Sequence, residues 1–90
     1  MIKINSIVKL KIPPTDDPEI KGKVNVGALG VCVDGKKKFP ELYKSVIKKV
    51  GYVPDDFVWI EWLKCDPRYD GRIDGLYWEL RFDIVKNELN

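Results

Sequence analysis

The chain has no histidine, only two cysteines and only three arginines. Without imidazole, the commonest general acid–base group and the commonest metal ligand are both missing. Cys32 and Cys65 stand 33 positions apart with no CxxC spacing. That pattern excludes a zinc site and a disulfide framework, and two free thiols are the expected state. Serine is as scarce: Ser6 lies at the edge of a strand pattern and Ser45 on the wet side of a helix pattern, neither beside a base that would activate it. No apolar run reaches the length of a signal peptide or a membrane span, and the opening MIKINSIVKLKIPP interleaves lysine with aliphatics. A cytoplasmic protein with no membrane partner, no cofactor, no metal and no catalytic residues is expected.

What is present fits one domain over residues 1–90, with 44% hydrophobic and 33% charged residues, an ordinary globular balance. A net charge of +2 hides an uneven spread. Residues 1–50 hold eleven lysines against five acids, and residues 51–90 hold five Lys or Arg against nine acids. If the fold separates these halves, the basic side faces nucleic acid or an acidic protein; if it interleaves them, they neutralise each other.

Alternation of Val8, Leu10 and Ile12 with Lys9 and Lys11 predicts a first strand over Ser6–Ile12, ended by Pro13 and Pro14 and followed by a polar loop. A second strand region runs from Lys23 to Asp34, with Gly27 and Gly30 marking a bend. The period then changes. Phe39, Leu42, Tyr43, Val46, Ile47 and Val50 trace one helical stripe over 39–50, with Pro40 in the first turn, Lys48 and Lys49 in the last, and Gly51 as the cap. FVWIEWLK at 57–64 reads as a central strand, apolar on both faces and covered on one by the helix. Asp70-Gly71 and Asp74-Gly75 offer hairpin turns before a last strand in which Leu76, Trp78, Leu80, Phe82 and Ile84 share the inner face and Tyr77 and Arg81 point out. A short polar tail at 86–90 closes the chain.

Three chemical motifs come close and fail. Gly30 to Lys37 has the G-x-x-x-x-G-K spacing of a phosphate loop, but lysine stands where the magnesium-binding hydroxyl belongs, the middle reads as strand, and no helix is expected to open at Gly35-Lys36. A calcium loop starting at Asp66 finds Asp70 and Gly71 in place, yet its third position is Arg68 and its bidentate twelfth is Tyr77. Asp70 and Asp74, in a turn, have no burial to separate their pKa values for acid–base work.

A lysine cluster is more suggestive. Lys36, Lys37 and Lys38 precede the helix, Lys44 and Lys48 lie i, i+4 on its exposed side, and Tyr69 and Tyr77 are outward aromatics for base stacking. Against nucleic-acid readout stands the shortage of arginine, the residue that reads bases and phosphates bidentately. A lysine face also serves plain solubility.

The lysine-laced first strand, GALGVCV, VWIEW and the closing GLYWELRFDIV together resemble the small SH3-like, in particular KOW-like, barrel proteins of bacteria and phages. Gly27, Gly30, Val31, Val33, Trp62, Tyr77, Trp78, Arg81 and Phe82 carry the resemblance, over residues 5–35 and 57–85. The helix at 39–50 is an insertion relative to that pattern. The resemblance implies a non-enzymatic module that binds protein or nucleic acid through loops and one sheet face, similar in size to phage accessory proteins that inhibit or adapt a host machine.

The expected fold is therefore α+β: a bent antiparallel sheet or SH3-like barrel of four to five strands with one inserted amphipathic helix. Its expected core is Val8, Leu10, Val31, Val33, Leu42, Val46, Ile47, Ile60, Trp62, Trp78, Leu80 and Phe82, and removing the Trp78 ring should cost about 3–5 kcal/mol. The leading functional expectation is a monomeric or small oligomeric protein-interaction module using loops 13–22 and 66–75, with Asp16, Asp17, Arg68, Tyr69, Asp70 and Arg72 as contacts, or an edge strand added to a partner's sheet. The alternative is nucleic-acid binding through Lys36, Lys37, Lys38, Lys44, Lys48 and Tyr69.

Overall fold

Alternating apolar residues do form the strands, and a computed structural model describes residues 2–12, 26–69, 71 and 73–87. Strand β1 (Ile7–Leu10) pairs antiparallel with β2 (Leu29–Cys32) on one side and β5 (Phe82–Lys86) on the other. β2 pairs with β3 (Phe57–Trp62), and β3 with β4 (Gly75–Trp78). The result is an open five-stranded antiparallel sheet of order β4-β3-β2-β1-β5, which with helices α1 (Gly35–Lys38) and α2 (Pro40–Val50) makes an α+β fold. Asp16, Asp17, Asp70, Arg72 and the loop at 13–22 lie outside the described residues. No helix among the described residues is long and apolar enough to cross a membrane.

The core fills the concave face. Val8, Leu10, Ala28, Cys32, Val58, Ile60, Trp62, Tyr77 and Phe82 are buried there together with Ile2, and Tyr69 packs against them. Trp62 stands between the two edge strands, its ring 5.4 Å from Tyr77 of β4 and 5.8 Å from Phe82 of β5. Tyr77 and Phe82 meet each other edge-on at 6.2 Å. Large rings bury the most apolar area per residue and gain further from such tilted contacts. The polar ends are satisfied as well: Trp62 Nε1–H donates to the Tyr77 hydroxyl (3.3 Å), which donates to the Ile73 carbonyl.

Trp59 points the other way, onto the convex face. Phe39 and Tyr43 pack on it with ring centroids at 6.1 Å, so one side chain anchors both helices. Gly35 makes this approach feasible: a Cβ there would sit 2.1 Å from the indole Cδ2. Pro40 opens α2 and Gly51, at φ +93°, caps it with its N–H donated to the Ile47 carbonyl, as the residue types demand.

Several expectations are corrected. A 3-10 turn at Glu79–Arg81 interrupts the expected last strand. Glu79 N–H donates to the Asp56 carbonyl and Arg81 carbonyl accepts from Lys11 and Ile12, so the turn is tied to the start of β3 and the end of β1. The interruption breaks the two-residue alternation: Tyr77, expected outside, is buried, whereas Trp78 and Leu80, expected inside, are 41% and 60% exposed, and Ile84 is also exposed. Leu42 is exposed rather than core, and Val31, Val46 and Ile47 are only half-buried. The helical stripe meets the sheet through Tyr43 on Trp59 and Leu42 against Gly75, and α2 has no fully buried residue. Gly75 begins β4 opposite Ile60 in place of turning a hairpin at Asp74-Gly75. Lys86 belongs to β5, not to a tail. A helical turn does open at Gly35, contrary to expectation, with Asp34 as its cap.

Urea unfolding of three variants checks these assignments. Trp62→Ala should cost about 3–5 kcal/mol and Gly35→Ala about 3 kcal/mol, the first by cavity formation and the second by overpacking. Trp78→Ala should cost about 1 kcal/mol, since it loses a half-exposed ring and one cation contact. A Trp78→Ala midpoint as low as that of Trp62→Ala would contradict the strand interruption.

Candidate functional site

The connection between β3 and β4 holds two of the expected contact residues among those described, Arg68, which is exposed, and Tyr69, which is half-buried, and Arg68 is held by an acid beside it. Asp66 is buried, its side chain only 3% exposed. Its carboxylate accepts from Leu29 N–H (2.9 Å), Arg68 N–H (2.8 Å) and Arg68 Nε (3.2 Å). The Arg68 amide is the main reason its pKa is lowered, burial opposes, and the Arg68 side chain and Leu29 amide add to the lowering. Arg68 also lies against Gly27, which turns at φ +93° and where a Cβ would come 2.9 Å from Nη1. Asp74 accepts from Trp62 N–H (2.9 Å) and from the Lys64 ammonium. Tyr69 is half-buried against the core, with Lys64 5.3 Å from its ring centroid.

These acids are therefore acceptors for the protein's own backbone. Among the described residues, no three His, Cys, Asp or Glu side chains come together to hold a metal ion. Cys32 and Cys65 are free, one buried and one exposed. Burial, with Glu79 adding, raises the Cys32 pKa and keeps it a thiol.

The expected lysines divide between α1 and α2, all exposed, whereas Tyr69 packs against the core. Lys36, Lys37 and Lys38 occupy one exposed helical turn, and Lys36 Nζ lies 6.0 Å from the ring centroid of Tyr43. Asp34 Oδ1 accepts Lys36 N–H (3.1 Å), so the turn's amides are capped by an anion of the chain itself. Lys38 approaches Glu61 at 3.9 Å and Lys44 approaches Glu41 at 3.8 Å, all well exposed. Lys37 and Lys48 make no ion pair among the described residues.

A face that sequence reasoning missed lies beside α1. Phe57 and Trp78 are opposite each other on the outer side of β3 and β4, and both are exposed. The Arg81 guanidinium sits 5.7 Å from the Trp78 ring centroid, and exposed Leu80 lies between them in the chain. The signal for this face was the adjacent Trp78–Arg81 spacing, which continuous alternation assigns to opposite sides. Only the 3-10 turn brings them together. No family model, curated protein or solved structure matches this chain.

Asp66 gives a pH test. A folded pKa below the unfolded value means that its stabilisation is complete above the ordinary carboxylate range, about 4, and disappears as pH falls through the lowered folded value. Urea midpoints measured from neutral pH down to about 2 should show Asp66→Asn destabilised at neutral pH, with the gap to wild type narrowing at the acid end. A gap independent of pH would mean that the charge of Asp66 is not what holds the loop.

Proposed function

We infer that the chain is a non-enzymatic protein-interaction module of SH3-like architecture, an inhibitor or adaptor whose contact face carries Phe57, Trp78 and Arg81. The SH3-like reading is supported by the strand order, in which consecutive β4 and β5 occupy opposite edges joined by a 3-10 turn, and by the Tyr77–Phe82 contact across those edges. The protein-binding reading rests on one observation: a tryptophan 41% exposed, with an arginine over its ring and Phe57 beside it. Tryptophan and arginine are enriched among residues whose truncation costs most at interfaces. β4 is an edge strand as well, so backbone pairing with a partner is available next to these side chains. The cytoplasm is the compartment that two free thiols fit.

A second reading, nucleic-acid binding, is favoured by the three successive exposed lysines of α1. Its phosphate contacts would be strongly salt-dependent. Immobilised wild type, Trp78→Ala and a Lys36→Glu, Lys37→Glu, Lys38→Glu triple variant separate the two. The protein-binding reading expects a defined partner that stays bound in roughly 1 M salt, where the Debye length is about 3 Å. It also expects Trp78→Ala to weaken that partner by about 2 kcal/mol, near thirtyfold. Binding of single- or double-stranded DNA or RNA at low salt that vanishes in the triple variant would replace this reading with the second.

A further inference from the structure

Phe57 also borders a groove. One wall is the segment before β1: Ile2 is buried with its N–H donated to Glu79 Oε2 (3.2 Å), and Asn5 N–H donates to the Cys32 carbonyl (2.7 Å). Asn5 adopts φ +74°, which asparagine tolerates better than most residues. Ile4, next to it, stands half exposed at 50%. Helix α1 is the other wall. Two cavities, of about 200 and 550 Å³, lie between the walls and share Ile4, Val33 and Asp34.

The two cavities differ in lining. Val58, Trp59 and Phe57 give the smaller one apolar walls, with Lys36 on its rim. Lys37 and Lys38 border the larger one. Asp34 is the one carboxylate among the described lining residues, and it is engaged with the Lys36 amide. The contact of Lys38 with Glu61 is long and exposed, so it neutralises little. An apolar pit with a cationic lip matches a ligand that has an apolar anchor beside negative charge.

We propose that this groove binds an acidic peptide segment of a partner protein. One aliphatic or aromatic side chain enters the smaller cavity beside Ile4 and Phe57, and the carboxylates that follow lie along Lys37 and Lys38. The proposal rests on the protein-interaction reading above and adds the partner's chemistry to it. Nucleic acid fits this groove less well: no arginine lines either cavity, and the apolar side chains of the smaller one offer nothing to a phosphate.

The test uses the full chain and fluorescently labelled short peptides that carry one Leu, Phe or Trp beside a run of Asp and Glu. Binding is expected for at least one anchor type. It should fall about tenfold or more, roughly 1.4 kcal/mol, when the acids become Asn and Gln, when the anchor becomes Ala, or in a Lys36→Gln, Lys37→Gln, Lys38→Gln variant. Ile4→Asp, an exposed substitution, should do the same, and amide shifts should move at Ile4, Val33 and Lys37. Absence of binding, indifference to the acids, or shifts confined to Trp78 and Arg81 would overturn the groove while leaving a Trp78-dependent partner intact. Salt-sensitive binding of an oligothymidylate, lost in the lysine variant, would overturn the groove and the protein-interaction reading together.

Discussion

Everything in this fold leans on Trp62. A small sheet has two unpaired edges, and an edge strand is marginal unless something beyond its single ladder holds it. Here the ring of Trp62 touches Tyr77 of one edge strand and Phe82 of the other. The two edges are thereby drawn to one side of the sheet without sharing hydrogen bonds. The 3-10 turn completes the arrangement by spanning from the start of β3 to the end of β1 through backbone bonds at Glu79 and Arg81. Curvature, core and chain reversal are thus one solution to the edge problem of a short chain.

The same curvature creates the convex surface on which the helices sit. A convex face of a small sheet is narrow, and α2 has one large residue, Trp59, to cover. This explains both the close approach at Gly35 and the incomplete burial of α2. Leu42 reaches Gly75 of β4, where an added Cβ would lie 3.2 Å from its Cδ2, yet it and Val50 remain 41% and 52% exposed, although their spacing is that of an inward stripe. Amphipathic spacing reports which side of a helix is apolar; it does not report how much surface the partner element provides.

This difference sets what was legible in the sequence. The strands around Val8, Leu10, Ile60 and Trp62 were legible because alternation and burial coincide there, and α2 because Pro40 and Gly51 punctuate it. The fate of Trp78 was not. Its environment depends on three residues of 3-10 turn whose cause is long-range, namely carbonyl and amide partners on β1 and before β3 that no local pattern announces. A single such interruption inverted the inside and outside of Tyr77 and Trp78, since strand periodicity is two. The role of Asp66 and Asp74 was hidden for a related reason. Asp favours turns and also invites ligand readings, but the amides that Asp66 and Asp74 satisfy belong to Leu29 and Trp62, residues remote in sequence or on the neighbouring strand.

Charge shows the same interplay of chain order and topology. The basic first half and acidic second half are not held apart, because β1 lies against β5 and the turn of α1 approaches β3. Lys11 pairs with Asp83 at 3.1 Å and Lys38 approaches Glu61, each contact joining the two halves of the sequence. What this mixing leaves over is the charge that has no acidic strand to face. Lys36 and Lys37 lie on the exposed side of α1, and Asp34, which caps that turn, is engaged with the helix backbone. The surplus positive charge therefore collects where apolar side chains from Ile4 to Phe57 are also uncovered. Solubility alone would favour spreading lysines over exposed apolar groups, whereas a lip of lysines beside an open apolar pit selects for an anionic, apolar-tipped ligand.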